Sequence, residues 1–438
     1  MPTSAVFAVG LPQQAPIALV ALLAWFVAAR ADQVRFSRQL LVVGWGVFAL
    51  TSPTAQFPQS LRMLGVIAAG GAALVHRVTT GRQRVNADAE VPWPTRWVAV
   101  YLVFVFLGCV ASPYGLSNLS RWIQGASIVF AALYAVRIGL TRSMLIATWL
   151  ANLINVVSSL LGGMPTTVGT GSDARLSGYM QPNHLGYAAA IVIIGAAWGA
   201  WRQQRWRLPL ALIAMLATYA LLACRSRTAL LALAIAGIAV GLSWLRHRGY
   251  TGALVGVVTL LLIAGPLASS AVDSWFSRDD SASSITTLTG RTDFWPLAVD
   301  MIGRRPVVGW GVDVIQSPAG AAFQQVTEGA IQAHNAFLEA ALTAGLPGLI
   351  AWTLAMVGTM LGSFRLPVGH PYRGLLIAST VLLFVFSFTE SNPAWFGDMF
   401  IVFCLAVSIY GDASRERPAT DPSAPPREPA VVAEAVPC

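Results

Sequence analysis

The sequence predicts an all-α polytopic integral membrane protein with about 12–13 transmembrane helices and one large extracytoplasmic loop. Of its 438 residues, 56% are hydrophobic and only 11% are charged. Apolar runs that are long enough to cross a bilayer as helices also recur along the whole chain. This composition excludes a soluble protein of two globular domains.

The predicted spans follow the apolar runs in chain order. They lie near 11–29, 40–51, 61–76, 97–112, 121–137, 143–162, 184–200, 208–223, 228–245, 251–272, 346–364, 374–389 and 395–411. Because the run at 40–51 is short, the predicted count is twelve or thirteen. A polar insert over about 273–335 separates the last three spans from the rest.

Four regions are therefore expected. An N-terminal transmembrane helix bundle occupies 1–272, an extracytoplasmic loop that carries the catalytic segment occupies 273–345, and C-terminal transmembrane helices occupy 346–411. The remainder, 412–438, is rich in Pro, Ala and Glu and is predicted to be a disordered cytoplasmic tail.

The positive charges alternate with the predicted spans. All 28 basic residues are arginine, and 19 of them fall in alternate loops or in the C-terminal tail. Since short loops rich in basic residues stay in the cytoplasm, we predict a multi-pass protein of the inner (cytoplasmic) membrane, with the insert outside and the C-terminus inside. The net charge of +9 thus reflects topology, and no nucleic-acid partner is expected.

Nine arginines remain on the predicted outer side. They are Arg62, Arg121, Arg175, Arg225, Arg227, Arg278, Arg291, Arg304 and Arg305. Snorkelling to lipid headgroups is the preferred explanation for Arg62, Arg121 and Arg278. Arg304 and Arg305 precede Pro306 in what could be a turn into a buried segment.

Three of these arginines lie in patterned segments. Arg175 precedes a turn at Pro182 and Asn183, Arg227 opens a helix, and Arg291 lies close to the carboxylate of Asp293 and the aromatic ring of Trp295. Because a guanidinium binds phosphate oxygens bidentately, we predict a clamp for a pyrophosphate. Arg225 and Arg227 would point to different faces of a helix, so at most one of them should enter a common cavity.

His334 is the candidate catalytic residue. A neutral imidazole can accept a proton from a hydroxyl, although a lone histidine near an apolar face is more often structural. The run after Asn335 predicts a short helix that Gly345 and Gly348 break before the next span. Glu339, five residues after His334, could be solvated or could cap that helix.

The sequence also lacks several motifs. It has no outward Asp-x-Asp pair, no His-Glu-x-x-His and no nucleotide-binding glycine loop. We therefore expect no metal and no cofactor. The spans are nearly free of charge, with Asn152 and Asn155 as their main polar residues, which favours an enzyme over a transporter.

Five motifs together resemble the O-antigen ligase/O-antigen polymerase superfamily of membrane glycosyltransferases that use polyprenyl-diphosphate glycans. They are Arg175…Gly178…Pro182-Asn183, Ser226-Arg227-x3-Leu231, Gly290-Arg291-x3-Trp295, Pro306-x2-Gly309-Trp310-Gly311 and His334-Asn335-x9-Gly345-x2-Gly348. Each motif alone is weak, but their order and spacing together are fairly specific.

The resemblance implies a metal-independent, inverting glycosyltransferase. Its partners would be a polyprenyl-diphosphate-linked glycan donor, a glycan or glycolipid acceptor, and membrane lipids. By resemblance, Arg227 and Arg291 would bind the diphosphate, and His334 would deprotonate the acceptor hydroxyl. We add Arg175 to the diphosphate site, with weaker contacts from Asn335, Asp293, Asn183 and Trp295. A polysaccharide polymerase, a small-anion transporter and a non-enzymatic scaffold are the alternatives.

Overall fold

The computed structural model describes residues 36–51, 59–80, 93–112, 115–161, 175–177, 180–247, 291–326, 332–391, 394 and 398–414. Within these residues the secondary structure is entirely helical. The helices are α1 (Phe36–Thr51), α2 (Gln59–Thr80), α3 (Trp93–Ala111), α4 (Gly115–Arg137), α5 (Thr141–Leu161), α6 (Pro182–Arg202), α7 (Arg207–Ala223), α8 (Arg227–His247), α9 (Arg291–Arg304), α10 (Ala321–Val326), α11 (Ala336–Arg365), α12 (Arg373–Phe386) and α13 (Asp398–Ala413). Single 3-10 turns lie at Gln204–Trp206, Val314–Gln316 and Pro318–Gly320.

The predicted fold class is confirmed. Eleven of the predicted spans coincide with helices α1–α8 and α11–α13, and seven helices among the described residues are long and apolar enough to cross a membrane. The predicted spans at 11–29 and 251–272 lie outside the described residues, and so does the tail from 415 onward. The predicted region boundaries stay predictions.

One hydrophobic core joins the spanning helices. Helix α1 packs on α2, the N-terminal helix α3 packs on α11, α6 packs on α7, and α8 packs on α12. Trp45 and Trp352 are among its largest fully buried side chains. Since N- and C-terminal spans share this core, residues far apart in the sequence reach one end of the bundle together.

A second, smaller core belongs to the insert. It joins α9, the two 3-10 turns that follow it, α10 and the first turns of α11, with Met301, Phe323 and Leu342 among its members. The insert is therefore packed against the beginning of α11. This contact gives the segment that carries His334 a second point of attachment.

Helix α11 is interrupted at Gly345, which has a φ of 69° and a ψ of −176°. The turn at 306–311 fills the interruption: Trp310 N donates to Leu342 O at 2.8 Å, and Leu346 N donates to Pro306 O at 2.7 Å. We call this interlock of 306–311 with 342–346 the clasp. The predicted break at Gly345 is confirmed, whereas Gly348 lies inside the continuing helix and does not break it.

Two expectations about arginines need correction. Arg121 does not depend on lipid headgroups alone, because its Nε lies 3.2 Å from Asp313 Oδ2 in an ion pair between α4 and the insert. Arg225 is not on a helix: it has a φ of 47° in the turn before α8, so the argument from helix faces does not apply. Arg62 lies over the Phe48 ring at 5.3 Å, and Arg278 lies outside the described residues.

The internal asparagines of α5 make structural hydrogen bonds. Asn152 Nδ2 donates to Thr148 O at 2.9 Å, and Asn155 Nδ2 donates to Leu50 O at 3.4 Å. Both residues are buried. They therefore satisfy backbone carbonyls inside the bundle, as buried polar groups in an apolar core must.

Candidate active site

Asn335 fixes the beginning of α11. It is the N-cap residue, and its side-chain Oδ1 accepts hydrogen bonds from the amides of Phe337 at 2.9 Å and Leu338 at 3.1 Å. The backbone amide of Asn335 donates to Ser391 Oγ at 3.3 Å, which connects Asn335 to the segment after α12. An asparagine cap supplies acceptors that the first helical amides otherwise lack. The side-chain oxygen of Asn335 is thus occupied by hydrogen bonds from backbone amides.

Glu339 fixes Ala333, the residue that precedes His334. Its side chain is buried, and Oε2 accepts a hydrogen bond from Ala333 N at 3.0 Å. Glu339 is therefore not solvated, and it does not cap α11 either, because Asn335 is the cap residue and Ala333 lies before it. Between these two fixed neighbours, His334 adopts a φ of 51°, a left-handed conformation that non-glycine residues rarely occupy. Such a conformation persists where its surroundings impose it.

Glu390 lies opposite the imidazole. Its Oε2 is 3.5 Å from His334 Nδ1, and its Oε1 accepts a hydrogen bond from Asn183 Nδ2 at 2.8 Å. The carboxylate is almost fully buried, with 1% exposure, whereas the His334 side chain is 23% exposed. Glu390 therefore turns one ring nitrogen of His334 toward the protein interior.

The hydrogen bonds continue from Asn183 to an arginine. Arg175 Nη2 donates to Asn183 Oδ1 at 3.3 Å, and Ser226 Oγ donates to the same oxygen at 3.3 Å. Arg175 Nε also donates to the carbonyl of Cys224 at 3.2 Å. The network Arg175–Asn183–Glu390–His334 thus joins the segment before α6, the start of α6, the end of α12 and the start of α11.

Three helices begin at this network: α6, α8 and α11. Their amino ends carry partial positive charge, which favours a nearby anion. Close packing of α6 on α8 requires a glycine, because a Cβ on Gly186 would lie 2.7 Å from Ser226 Cβ and 2.8 Å from Ala229 Cβ. The predicted turn at Pro182 and Asn183 is confirmed as the start of α6.

The two predicted diphosphate residues each open a helix. Arg227 is the first residue of α8 and follows Ser226 directly, so its backbone lies beside the network. Arg291 is the first residue of α9, one turn before Trp295, whose Nε1 donates to Ala333 O at 3.2 Å next to His334. The Arg291 and Asp293 side chains lie outside the described part of the chain.

Sequence reasoning missed Glu390. The signal was a short polar run, Thr389-Glu390-Ser391, immediately after an apolar span on the predicted outer side. Nothing in that run indicates a partner, because the contact with His334 depends on how α11 and α12 pack. Among the described residues, no group of three or more His, Cys, Asp or Glu could hold a metal ion.

Residues 211–353 match the family model described as O-Antigen ligase, a stretch that includes Arg227, Arg291 and His334. The exopolysaccharide production protein ExoQ of Rhizobium meliloti (strain 1021) is 26% identical over 379 residues, which cover 79% of this chain and 83% of that protein. Both comparisons confirm the resemblance that the five motifs predicted.

Proposed function

We propose, because the chain belongs to the O-antigen ligase superfamily, that it transfers a glycan from a polyprenyl diphosphate to an acceptor hydroxyl on the outer face of the inner membrane. The chain is a membrane protein of polysaccharide biosynthesis.

The observation that carries the proposal is the placement of His334 against Glu390. Because Nδ1 faces a carboxylate at 3.5 Å, the proton of the neutral imidazole is expected on Nδ1. Nε2 then carries the lone pair that can accept a proton. A buried acid that orients a histidine in this way is the arrangement that general bases use in hydrolytic triads.

The proposed step follows from that tautomer. The acceptor oxygen forms a bond to the anomeric carbon of the donor sugar while the bond from that carbon to the diphosphate oxygen breaks. The hydroxyl proton passes to His334 Nε2, and the electron pair of the broken bond leaves with the polyprenyl diphosphate. Attack opposite the leaving group inverts the anomeric configuration.

The leaving diphosphate needs positive charge. Arg227 and Arg291 supply it in the proposal, each at the amino end of a helix, where the partial positive charge of the helix adds to the guanidinium. Arg175 contributes a third charge next to Asn183. Stabilising charge that develops on a leaving group lowers the barrier directly.

The residues that were predicted to contact the substrate more weakly also have a structural role. Asn183, Asn335 and Trp295 already make the hydrogen bonds described above, and so they are proposed to hold the site in shape. Any contact that they make with substrate is secondary to that task. The contact proposed for Asp293 rests on its spacing from Arg291 alone.

The test is a transfer assay on the purified full chain, with a polyprenyl-diphosphate glycan supplied with and without a candidate acceptor. His334→Ala should lower the transfer rate by about 10²–10⁴-fold while donor binding persists. His370→Ala is the matched control, since His370 lies in the turn before α12, at the end of that helix away from Glu390. Near-normal turnover by well-folded His334→Ala protein would remove the catalytic assignment.

A polymerase is the second candidate, and the name of the relative favours it. ExoQ is described as an exopolysaccharide production protein. In a polymerase the acceptor is another lipid-linked glycan, so the purified chain should lengthen its donor without any added acceptor. A ligase requires the second substrate. The same assay therefore separates the two reactions by whether products form from the donor alone.

A further inference from the structure

A large apolar cavity lies at the other end of the bundle. Its volume is about 610 Å³, and α5, α6, α7, α12 and α13 line it. Helix α6 connects it to the candidate active site, because Asn183 lies on the first turn of α6 and Arg202 is its last residue. At 1.5 Å per residue, the mouth lies about 30 Å along α6 from the network.

The wall of this cavity suits hydrocarbon. Leu145, Ile191, Ile194 and Leu376 line it together with the rings of Trp149 and Trp198. Both indole N–H groups are occupied, since Trp149 Nε1 donates to Val192 O and Trp198 Nε1 donates to Pro371 O, each at 2.9 Å. A sugar would find few hydrogen-bonding groups on such a wall, whereas an acyl chain needs none.

The mouth, in contrast, is cationic. Arg142, near the start of α5, and Arg202, at the end of α6, both line it and both are exposed. Neither guanidinium makes a hydrogen bond or ion pair with another of the residues that the structure describes. Trp206 and Tyr372 also line the cavity, and such aromatic residues are enriched at the level of lipid headgroups.

The depth of the cavity matches one leaflet. On α6 the lining extends from Ile191 to Arg202, which is roughly 16 Å at 1.5 Å per residue. Half of the ~30 Å hydrocarbon core is about 15 Å. An occupant with one charged end and a hydrocarbon part of that length is a phospholipid, whereas a polyprenyl chain is far longer than this depth.

We propose that the cavity formed by α5, α6, α7, α12 and α13 binds an anionic membrane phospholipid, whose phosphate lies between Arg142 and Arg202 and whose acyl chain lies along Ile191, Ile194 and Leu376. By the arginine distribution this is the cytoplasmic leaflet. Basic pockets between spanning helices on that side favour anionic headgroups. Lipid binding in this cavity does not depend on the reaction proposed above.

The experiment measures retained lipid on the full chain. The protein is reconstituted into bilayers of equal parts dioleoyl-phosphatidylglycerol and dioleoyl-phosphatidylcholine, released, and examined by native mass spectrometry. Phosphatidylglycerol should be retained over phosphatidylcholine. Arg142→Gln with Arg202→Gln should reduce its retention by about tenfold or more, because each charge-assisted contact contributes about tenfold. Arg246→Gln, an exposed arginine of α8 outside the cavity, should change nothing.

A second variant tests the hydrocarbon part. Leu145→Trp should obstruct part of the cavity and reduce retention of phosphatidylglycerol while the arginines stay in place. If it does not fold, the arginine pair and a salt titration decide the question alone. Equal retention of both lipids, unchanged by the arginine substitutions, would overturn the proposal. So would displacement of phosphatidylglycerol by a polyprenyl phosphate at equal concentration, since that result assigns the cavity to the carrier lipid.

Discussion

Glu390 and His334 face each other across the junction of α12 and α11, with Glu390 Oε2 at 3.5 Å from His334 Nδ1. The acid comes from the segment after α12, and the histidine is the residue before the cap of α11. Their relative position therefore depends on how the two helices pack.

Glu390→Gln should lower kcat and leave the KM for donor nearly unchanged. Glutamine is almost isosteric and can still accept the hydrogen bond from Asn183, but it removes the charge that faces Nδ1. Comparable loss of the orienting acid in a serine protease costs about 10⁴-fold in kcat, so tens- to thousandfold is expected here. Steady-state kinetics measures the split between kcat and KM.

The matched control is Asp300→Asn. Asp300 is an exposed acid of α9 that pairs with Arg304 at 2.7 Å, away from the network. Its substitution should leave both kinetic constants unchanged. If Glu390→Gln instead raises KM alone, Glu390 binds substrate and does not orient His334.

His334→Gly should separate stability from activity. Glycine adopts the left-handed conformation without strain, and relieving a non-glycine residue of it is worth about 1–2 kcal/mol. The variant should therefore unfold at a higher temperature than His334→Ala while both lack transfer activity. Thermal unfolding in detergent measures the difference. Equal melting temperatures would mean that the histidine conformation stores no strain.

Both the charge and the planar guanidinium of the proposed diphosphate arginines should contribute to donor binding. Arg227→Ala and Arg291→Ala should each reduce donor affinity or rate by about ten- to hundredfold, and lysine should restore only part of that loss. Arg304→Ala, at the exposed end of α9, is the control. Donor titration and initial rates measure the effect. Complete restoration by lysine would show that charge alone matters and that the planar fork does not.

Gly345→Ala should destabilise the protein by a few kcal/mol. An alanine there must adopt a φ of 69°, and its Cβ would collide with the Val307 carbonyl of the clasp. Gly303→Ala is the opposite control: nothing lies near that position on α9, so it should be neutral or stabilising by up to ~1 kcal/mol. Thermal unfolding compares the two. Equal effects would mean that the clasp does not constrain Gly345.

Most of the fold could be predicted because hydrophobicity along the chain determines membrane helices directly. Helix α6, for example, was expected at 184–200 and occupies Pro182–Arg202. The positions of His334, Arg227 and Arg291 were predicted by local motifs. Contacts between distant segments were not predicted. The sequence does not indicate that Arg121 pairs with Asp313 or that His334 faces Glu390. Such pairs follow from packing, which a single sequence does not reveal.

Glu339 illustrates what a single sequence does not reveal about one side chain. Its spacing from His334 left a solvated and a capping role open, and the structure shows neither, because the buried carboxylate accepts from the backbone amide of Ala333, before the cap residue. For Arg225, the prediction assumed a helix, but the residue lies in the turn before α8. Both outcomes depend on where a helix begins, which sequence patterns locate to within a few residues.

The clasp has a consequence for how related proteins can exchange parts. Because 306–311 and 342–346 share backbone hydrogen bonds and leave no room for a side chain at Gly345, neither segment fits an unrelated partner. A chimaera that takes its insert from one homologue and its C-terminal helices from another will therefore work only if the crossover keeps both segments from one parent. The insert and the first turns of α11 should be inherited as one module.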